Sequence, residues 1–308
     1  MTSVQTAPLG GLARQPERRR RPRTRVSWWF IVPALVAYGV VVVYPSLSGA
    51  YYAFTDWNGG PYPSFIGGAN FAELVQDERA LASLRNTLVL SVAVVIGQSL
   101  LGLVLALALN TAIRSRNLLR TLFFAPMLLP PIAIGVLWQF MYSRGGPIDT
   151  VLSGIGLDAL VQNWLGDSSV ALWSVIVTVV WQHVGLSMVI FLAGLQGVPE
   201  ELYEAASLNG AGRWRRFWSI TRPMIGQATT IVLALTMIGG LKLFDQVFVM
   251  TSGGPGYATE TLSLLMYREV FVLGHYGYGT AIALVLTMIV AMIAFVQISA
   301  TRRGEVEA

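Results

Sequence analysis

Windows of about 20 residues with little or no charge recur six times along this chain, and a helix needs roughly that length to cross the hydrocarbon of a bilayer. They fall at residues 28–50, 88–109, 122–142, 170–195, 224–241 and 280–300. A spanning segment must satisfy its own backbone polar groups, so each window predicts an α-helix. The 308 residues are 54% hydrophobic and only 12% charged, with a mean hydropathy of +0.60, which is too little charge to cover a water-facing surface. The fold class expected is an all-α membrane protein with six transmembrane helices. There is no cysteine, and His183 and His275 are the only histidines. Disulfide scaffolds, iron-sulfur clusters and thiolate zinc sites are therefore excluded, and no metal centre is expected.

A net charge of +5 would suggest nucleic acid in a soluble protein, but here the position of the charges matters more than their sum. Sixteen of the 21 basic residues sit in four places: seven between Arg14 and Arg25, then Arg114, Arg116 and Arg120, then Arg213, Arg215, Arg216 and Arg222, and last Arg302 and Arg303. Those places are alternate connections between spans. The other connections hold Arg79, Arg85, Arg144 and Arg268 among acids that include Asp56, Glu73, Asp77, Asp149, Glu260 and Glu269. The excess of arginine marks the cytoplasmic side, so both termini are expected there and no nucleic-acid partner is expected. Residues 1–26 cannot bury a core and read as a disordered basic cytoplasmic tail. The apolar run that follows is too long for a signal-peptide core and lacks a small-x-small cleavage site, so it reads as an uncleaved first span. Residues 27–301 form the membrane domain and 302–308 a second cytoplasmic tail. Pro45, Pro126, Pro130 and Pro131 interrupt the spans, which fits either ordinary membrane-helix composition or helices built to bend.

Residues 197–223, GVPEELYEAASLNGAGRWRRFWSITRP, are too polar for the membrane. Pro199 followed by Glu200 and Glu201 starts a helix, since proline suits the first turn and acids complement the positive dipole end. Asn209 and Gly210 supply the left-handed conformation that ends one. A short helix thus projects and turns back, in a form suited to a protein partner or to a merely solvated loop. Beyond it Trp214, Phe217 and Trp218 share a face and Arg213, Arg215 and Arg216 cover the rest, a pattern for a segment lying on the membrane interface.

In this loop Glu204, Ala205, Ala206, then Gly210, Ile220 and Pro223 keep the spacing of the EAA motif, and the chain resembles the membrane subunits of binding-protein-dependent ATP-binding-cassette (ABC) importers. Asn209 stands where the family usually has Asp, and Arg222 where it has Leu. Further stretches, Arg85-Asn86-Thr87, Leu119 to Pro131, Leu195 to Ala206, and Phe244-Asp245 with Thr251 to Pro255 and Thr259, resemble the sugar-importer branch, in particular its maltose and glycerol-3-phosphate type first permease. The resemblance implies a type I ABC importer permease architecture in the bacterial cytoplasmic membrane. It also implies a second homologous permease, two ATPase subunits, an extracytoplasmic solute-binding protein and a carbohydrate substrate. Glu200, Glu201, Glu204, Ala205, Ala206, Asn209 and Gly210 would form the coupling helix that docks on the ATPase.

The chain itself offers no site for the energy source. A phosphate-binding loop needs G-x-x-x-x-G-K-[ST], and the single lysine, Lys242, precedes Leu243 and lacks the glycines. No cofactor is expected here, and ATP and Mg would be held by the partner ATPase. Ser187 and His183 stand four apart on a helix but lack the setting of an intramembrane protease. Within the fourth span, Trp181, Gln182 and His183 place an indole, an amide and an imidazole at membrane depth, where polar groups are costly unless they face protein or a wet cavity. An indole can cover a sugar ring and the other two can bond hydroxyls. The family resemblance implies a sugar contact at Trp181, while hydrogen bonding between helices accounts equally well for Gln182 and His183. Lys242 and Asp245, three apart, are expected on one helix face near the substrate path, paired with each other or with the second permease. An ion-coupled transporter or channel is the main alternative. It would need carboxylates inside the spans, and Asp245 alone lies near one.

Overall fold

The computed structural model describes residues 28–305 other than residue 112, and it divides into two units, 1–47 and 48–308. The first helix, α1 (Val32–Tyr52), carries no charged residue, and none of its residues 32–47 is buried by the chain. In the second unit α2 (Ala69–Gln76) leads into α3 (Glu78–Leu109). Next come α4 (Arg116–Leu128), α5 (Pro131–Met141), α6 (Pro147–Gly154) and α7 (Ala171–Gln196). A short helix, α8 (Glu200–Leu208), precedes α9 (Arg213–Met224) and α10 (Gly226–Leu241). The chain finishes with α11 (Asp245–Thr251), α12 (Leu262–Tyr267) and α13 (Tyr276–Glu305). Among the described residues the only β pairing is a single bridge, Thr55 to Phe65.

Four of the six expected spans are long apolar helices: α1, α3, α7 and α13. The other two each belong to a bent helix pair. The third expected span is α4 and α5, which meet at 100°. Pro130 and Pro131 force the break, because a residue before proline is driven from the helical region, and Leu129 is extended at φ −83°, ψ 143°. The fifth, expected at residues 224–241, is α10, and it meets α9, in the segment expected on the interface, at a 69° bend at Ile225, two residues after Pro223. A hydropathy window measures composition, and composition does not register either bend. The second span also begins ten residues earlier than its apolar stretch. Asp77 caps α3 by accepting from the Arg79 N–H (2.8 Å) and also receives the Tyr278 hydroxyl of α13 (2.8 Å), so two polar turns lead the helix in. At the other end α13 continues through residues 302–305, assigned from sequence to a tail. The N-terminal tail 1–26 and residues 306–308 lie outside the described residues.

Helix α7 is the centre of the second unit. It runs parallel to α3: Gly97 lies against Val180 and Gly102 against Ser187, where an added Cβ would fall 2.7 Å from the Ser187 Cβ. Such close approach through small residues is how membrane helices gain contact without a hydrophobic drive between them. Helix α10 returns antiparallel, with Gly194 of α7 against Ala228. Phe191, Met188 and Val232 fill one end of this core and Leu90, Val94, Val175 and Val179 the other. Buried hydroxyls of Thr87, Ser91, Thr178 and Thr236 each donate to the carbonyl four residues back, so none is stranded.

Candidate functional site

The loop at the far end of α7 forms the helix expected from its caps. Pro199 enters at φ −59°, ψ 132°, and Glu200 and Glu201 occupy the first turn of α8. The helix ends in a Schellman turn: Gly210 sits at φ +73°, its N–H donates to Ser207 O (3.0 Å), and Ala211 N–H donates to Ala206 O (2.9 Å). The Asn209 side chain donates to Ala205 O (2.8 Å), closing the same end. No residue of α8 is buried; Glu200, Glu201, Glu204 and Ala205 are exposed and Ala206 is half-buried. One side chain ties the helix to the bundle. The Tyr203 hydroxyl meets Thr221 Oγ1 at 3.0 Å, and Thr221 is a buried residue of the π-helical turn in α9 just before the bend. All seven expected coupling residues therefore lie on one solvent-facing element hinged on one hydrogen bond.

Beside it, Trp214, Phe217 and Trp218 cluster, with ring centroids 5.5–6.1 Å apart, and the Arg222 guanidinium lies 4.9 Å from the centre of the Trp218 ring. Trp214 remains 74% exposed and Trp218 45%.

Deep in the bundle Trp181, Gln182 and His183 diverge, as successive residues about 100° apart on a helix must. Trp181, 40% exposed, meets Trp138 edge to face (centroids 5.4 Å apart) and lines an apolar cavity of about 1000 Å³ with Phe123, Pro126, Leu129 and Val104. Gln182 has no exposed surface and is engaged at both ends of its amide. Its Nε2 donates to Leu129 O (3.1 Å) and its Oε1 accepts from Gln246 Nε2 (2.8 Å). That carbonyl is the one the break before Pro130 turns out of the helix, so the glutamine satisfies a group that lipid could not. His183 donates from Nδ1 to Val179 O (3.1 Å) and lines a separate cavity of about 120 Å³ with Gln98, Ser187 and Thr236. The three side chains share no cavity. Lys242 and Asp245 also separate: α10 stops at Leu241, and Asp245 opens α11 after a three-residue break that holds Lys242. They do not lie on one helix, and no ion pair joins them.

The opposite end of α3 carries a charge cluster invisible in the sequence. Glu260, fully buried, accepts from Arg79 Nε (2.7 Å) and Nη2 (2.8 Å) and from Arg268 Nη1 (2.9 Å). Arg79 lies 4.4 Å over the Tyr257 ring and 3.6 Å from Glu269, which also receives His275 Nδ1 (2.8 Å). Asn86 donates to the carbonyls of Tyr257 and Glu260 (both 3.1 Å). Together they clamp the glycine-rich turn at residues 252–258 onto the end of α3. The pairing crosses 181 positions, and the segment singled out from sequence stopped at Thr259, one residue short of its centre. In the neighbouring loop the Ser169 hydroxyl and N–H donate to Asp167 (2.7 and 2.8 Å), which holds that carboxyl below the usual range.

Comparison with known proteins agrees with this geometry. Residues 98–302 match the family model described as binding-protein-dependent transport system inner membrane component. A multiple sugar-binding transport system permease protein of Streptococcus mutans is 34% identical over 281 residues, covering 91% of this chain and 96% of that one. A probable starch degradation products transport system permease of Thermoanaerobacterium thermosulfurigenes is 34% identical over 91% of this chain and 95% of its own length. A trehalose/maltose transport system permease of Thermococcus litoralis is 31% identical over 90% and 94%. Among solved structures, a chain of a bacterial ABC transporter that imports the acidic polysaccharide alginate superposes with a TM-score of 0.78 at 22% identity, covering 90% of this chain and 94% of that one; this likeness establishes the fold. Four long apolar helices with two bent helix pairs, the EAA spacing on an exposed helix, and relatives aligned nearly end to end place this chain in the family of inner-membrane components of binding-protein-dependent transport systems.

Proposed function

We propose that this chain is one permease subunit of an ATP-driven carbohydrate importer. It pairs with a second homologous permease, receives solute from an extracytoplasmic binding protein, and is driven by two separate ATPase subunits that bind ATP and Mg. The arginine-rich ends of the spans, α8 and both termini face the cytoplasm, as the charge distribution requires. Support for the carbohydrate class comes from the relatives, whose names specify multiple sugars, starch degradation products, and trehalose and maltose. Trp181 is the best candidate for a sugar contact, because its half-exposed indole faces the large cavity with Trp138 alongside. Gln182 acts by holding the broken span.

The observation that carries the coupling role is α8 itself: a helix closed at its C-terminal end by a Schellman turn, with no buried residue and one hydrogen bond to the turn that precedes the 69° bend. A solvated loop has no need of that construction. Replacing Glu204 with alanine removes an exposed contact, and Gly210→Ala strains a φ of +73°. In proteoliposomes holding the assembled transporter, both changes lower ATP-coupled uptake and leave solute capture by the binding protein intact. Normal uptake by both variants would overturn the assignment. Trp181→Ala impairs uptake while basal ATP hydrolysis persists.

A further inference from the structure

Helix α9 carries an exposed aromatic and cationic surface that neither the transport reaction nor the fold uses. Its 69° bend from α10 leaves it about 20° off the bilayer plane when α10 stands along the normal. It therefore lies along the interface at the depth where a span begins. Trp214 and Trp218 remain exposed even though they pack on Phe217, and no residue of the opening Arg213–Arg216 turn is buried. Amphipathic rings of this kind prefer the headgroup level.

The charge is one-sided. Arg213, Arg215, Arg216 and Arg222 fall within ten positions, and the sequence has no Asp or Glu between Glu204 and Asp245. Among the described residues none of these four arginines has a carboxylate partner. Arg222 is held over the Trp218 ring, so one guanidinium is placed beside the aromatic face. Guanidinium groups bind phosphate oxygens through paired N–H donors. Cations interleaved with indoles, at interface depth and near-parallel to the surface, are complementary to an anionic lipid headgroup.

We propose that α9 is a binding surface for anionic phospholipid headgroups. The same contact would set the angle at which α8 is presented, since only Asn209, Gly210, Ala211 and Gly212 separate the two helices and the Tyr203–Thr221 hydrogen bond fastens them. This second step rests on the coupling role of α8; the lipid site does not.

The test uses the full assembled transporter in nanodiscs of phosphatidylcholine containing a minor fraction of either phosphatidylglycerol or further phosphatidylcholine, brominated on the acyl chain near the headgroup. The readout is tryptophan quenching, taken as the difference between the wild type and a Trp214→Phe/Trp218→Phe variant. Brominated phosphatidylglycerol should quench these two rings more strongly than brominated phosphatidylcholine at equal mole fraction. The preference should fall about fivefold for each arginine changed to glutamine and weaken with added salt. Equal quenching by the two lipids overturns the proposal. Strong phosphatidylglycerol quenching in the free permease that vanishes once the ATPase is bound also overturns it, by showing a protein partner on that face. Uptake is followed in parallel. If Glu204→Ala and Gly210→Ala transport normally, the coupling role fails while the quenching result stands on its own.

Discussion

Changing Gln182 to methionine tests whether this residue is a strut or a substrate contact. The substitution keeps an unbranched side chain of similar length and deletes both ends of the amide. It strands the Leu129 carbonyl, which the Pro130 break has already taken out of the helix, and the Nε2 of Gln246, which is itself buried. A side-chain hydrogen bond between membrane helices is worth about 0.6 kcal/mol on average and at most about 1.7, so two of them come to about 1.2 and at most about 3.4 kcal/mol. Leaving a buried acceptor without any partner costs about 1–3 kcal/mol by the separate route of lost solvation, which lands in the same range. The expected loss is therefore about 1–3 kcal/mol, read from denaturant unfolding of the purified complex in detergent. Gln246→Met alone should cost about half as much. The double variant should cost less than the sum, because one bond has been counted twice. Additive losses would remove the Gln182–Gln246 bond from the account. Unchanged stability with a large rise in the KM for uptake would refute the strut and make Gln182 a solute ligand.

Two other bonds make equally direct predictions. Glu260→Gln keeps the shape of the buried acid but leaves Arg79 and Arg268 facing a neutral amide. Breaking a buried pair costs about 3–5 kcal/mol, and because both arginine side chains are about one-quarter exposed the expected loss is nearer 2 kcal/mol. A thermal unfolding midpoint equal to that of the wild type would show that the cluster does not fasten the residue 252–258 turn. Tyr203→Phe deletes only the hydroxyl that meets Thr221, at about 0.5–1.5 kcal/mol. It should lower the solute imported per ATP hydrolysed while the ATPase still binds, and an unchanged ratio would mean that α8 transmits force through its backbone connections alone.

What could be read from the sequence was what is set locally. Pro199, the two following acids, Asn209 and Gly210 specify α8 without help from the rest of the chain, and the structure places a helix between those caps. Apolar length likewise fixed α7 to within a residue at each end. The start of α3 was missed because Asp77 makes its cap outside the apolar stretch that hydropathy registers. Lys242 and Asp245 illustrate a different failure. Spacing three apart implies one face only if the helix continues, and α10 ends at Leu241, where Gly240 packs against Ser91 with no room for a Cβ. The Glu260 cluster and the Gln182–Leu129 bond join positions 181 and 53 apart, and nothing in the local pattern marks either partner.

The two bent helix pairs share a design that bears on how such a bundle can move. The Pro130 break frees a backbone carbonyl that a bilayer cannot satisfy, and a straight helix would avoid that cost. At the first, Gln182 of α7 satisfies that carbonyl, at Leu129; beside the second, where the backbone bonds of Thr221 and Ile225 persist, Tyr203 of α8 holds the Thr221 hydroxyl. Both are single, neutral hydrogen bonds, worth a fraction of what the glycine-packed contact of α7 with α3 contributes over its length. A change of bend angle can therefore exchange these bonds while α7 and α3 move as one body. Glycines at 97 and 102 forbid sliding between those two helices, since any shift in register brings a side chain against backbone. Motion imposed on α8 would then appear first as a change in the angle between α9 and α10. Spin labels on those two helices should report it, with α3–α7 distances unchanged across the ATP cycle. A change of equal size in both pairs would refute the division into a rigid pair and bending spans.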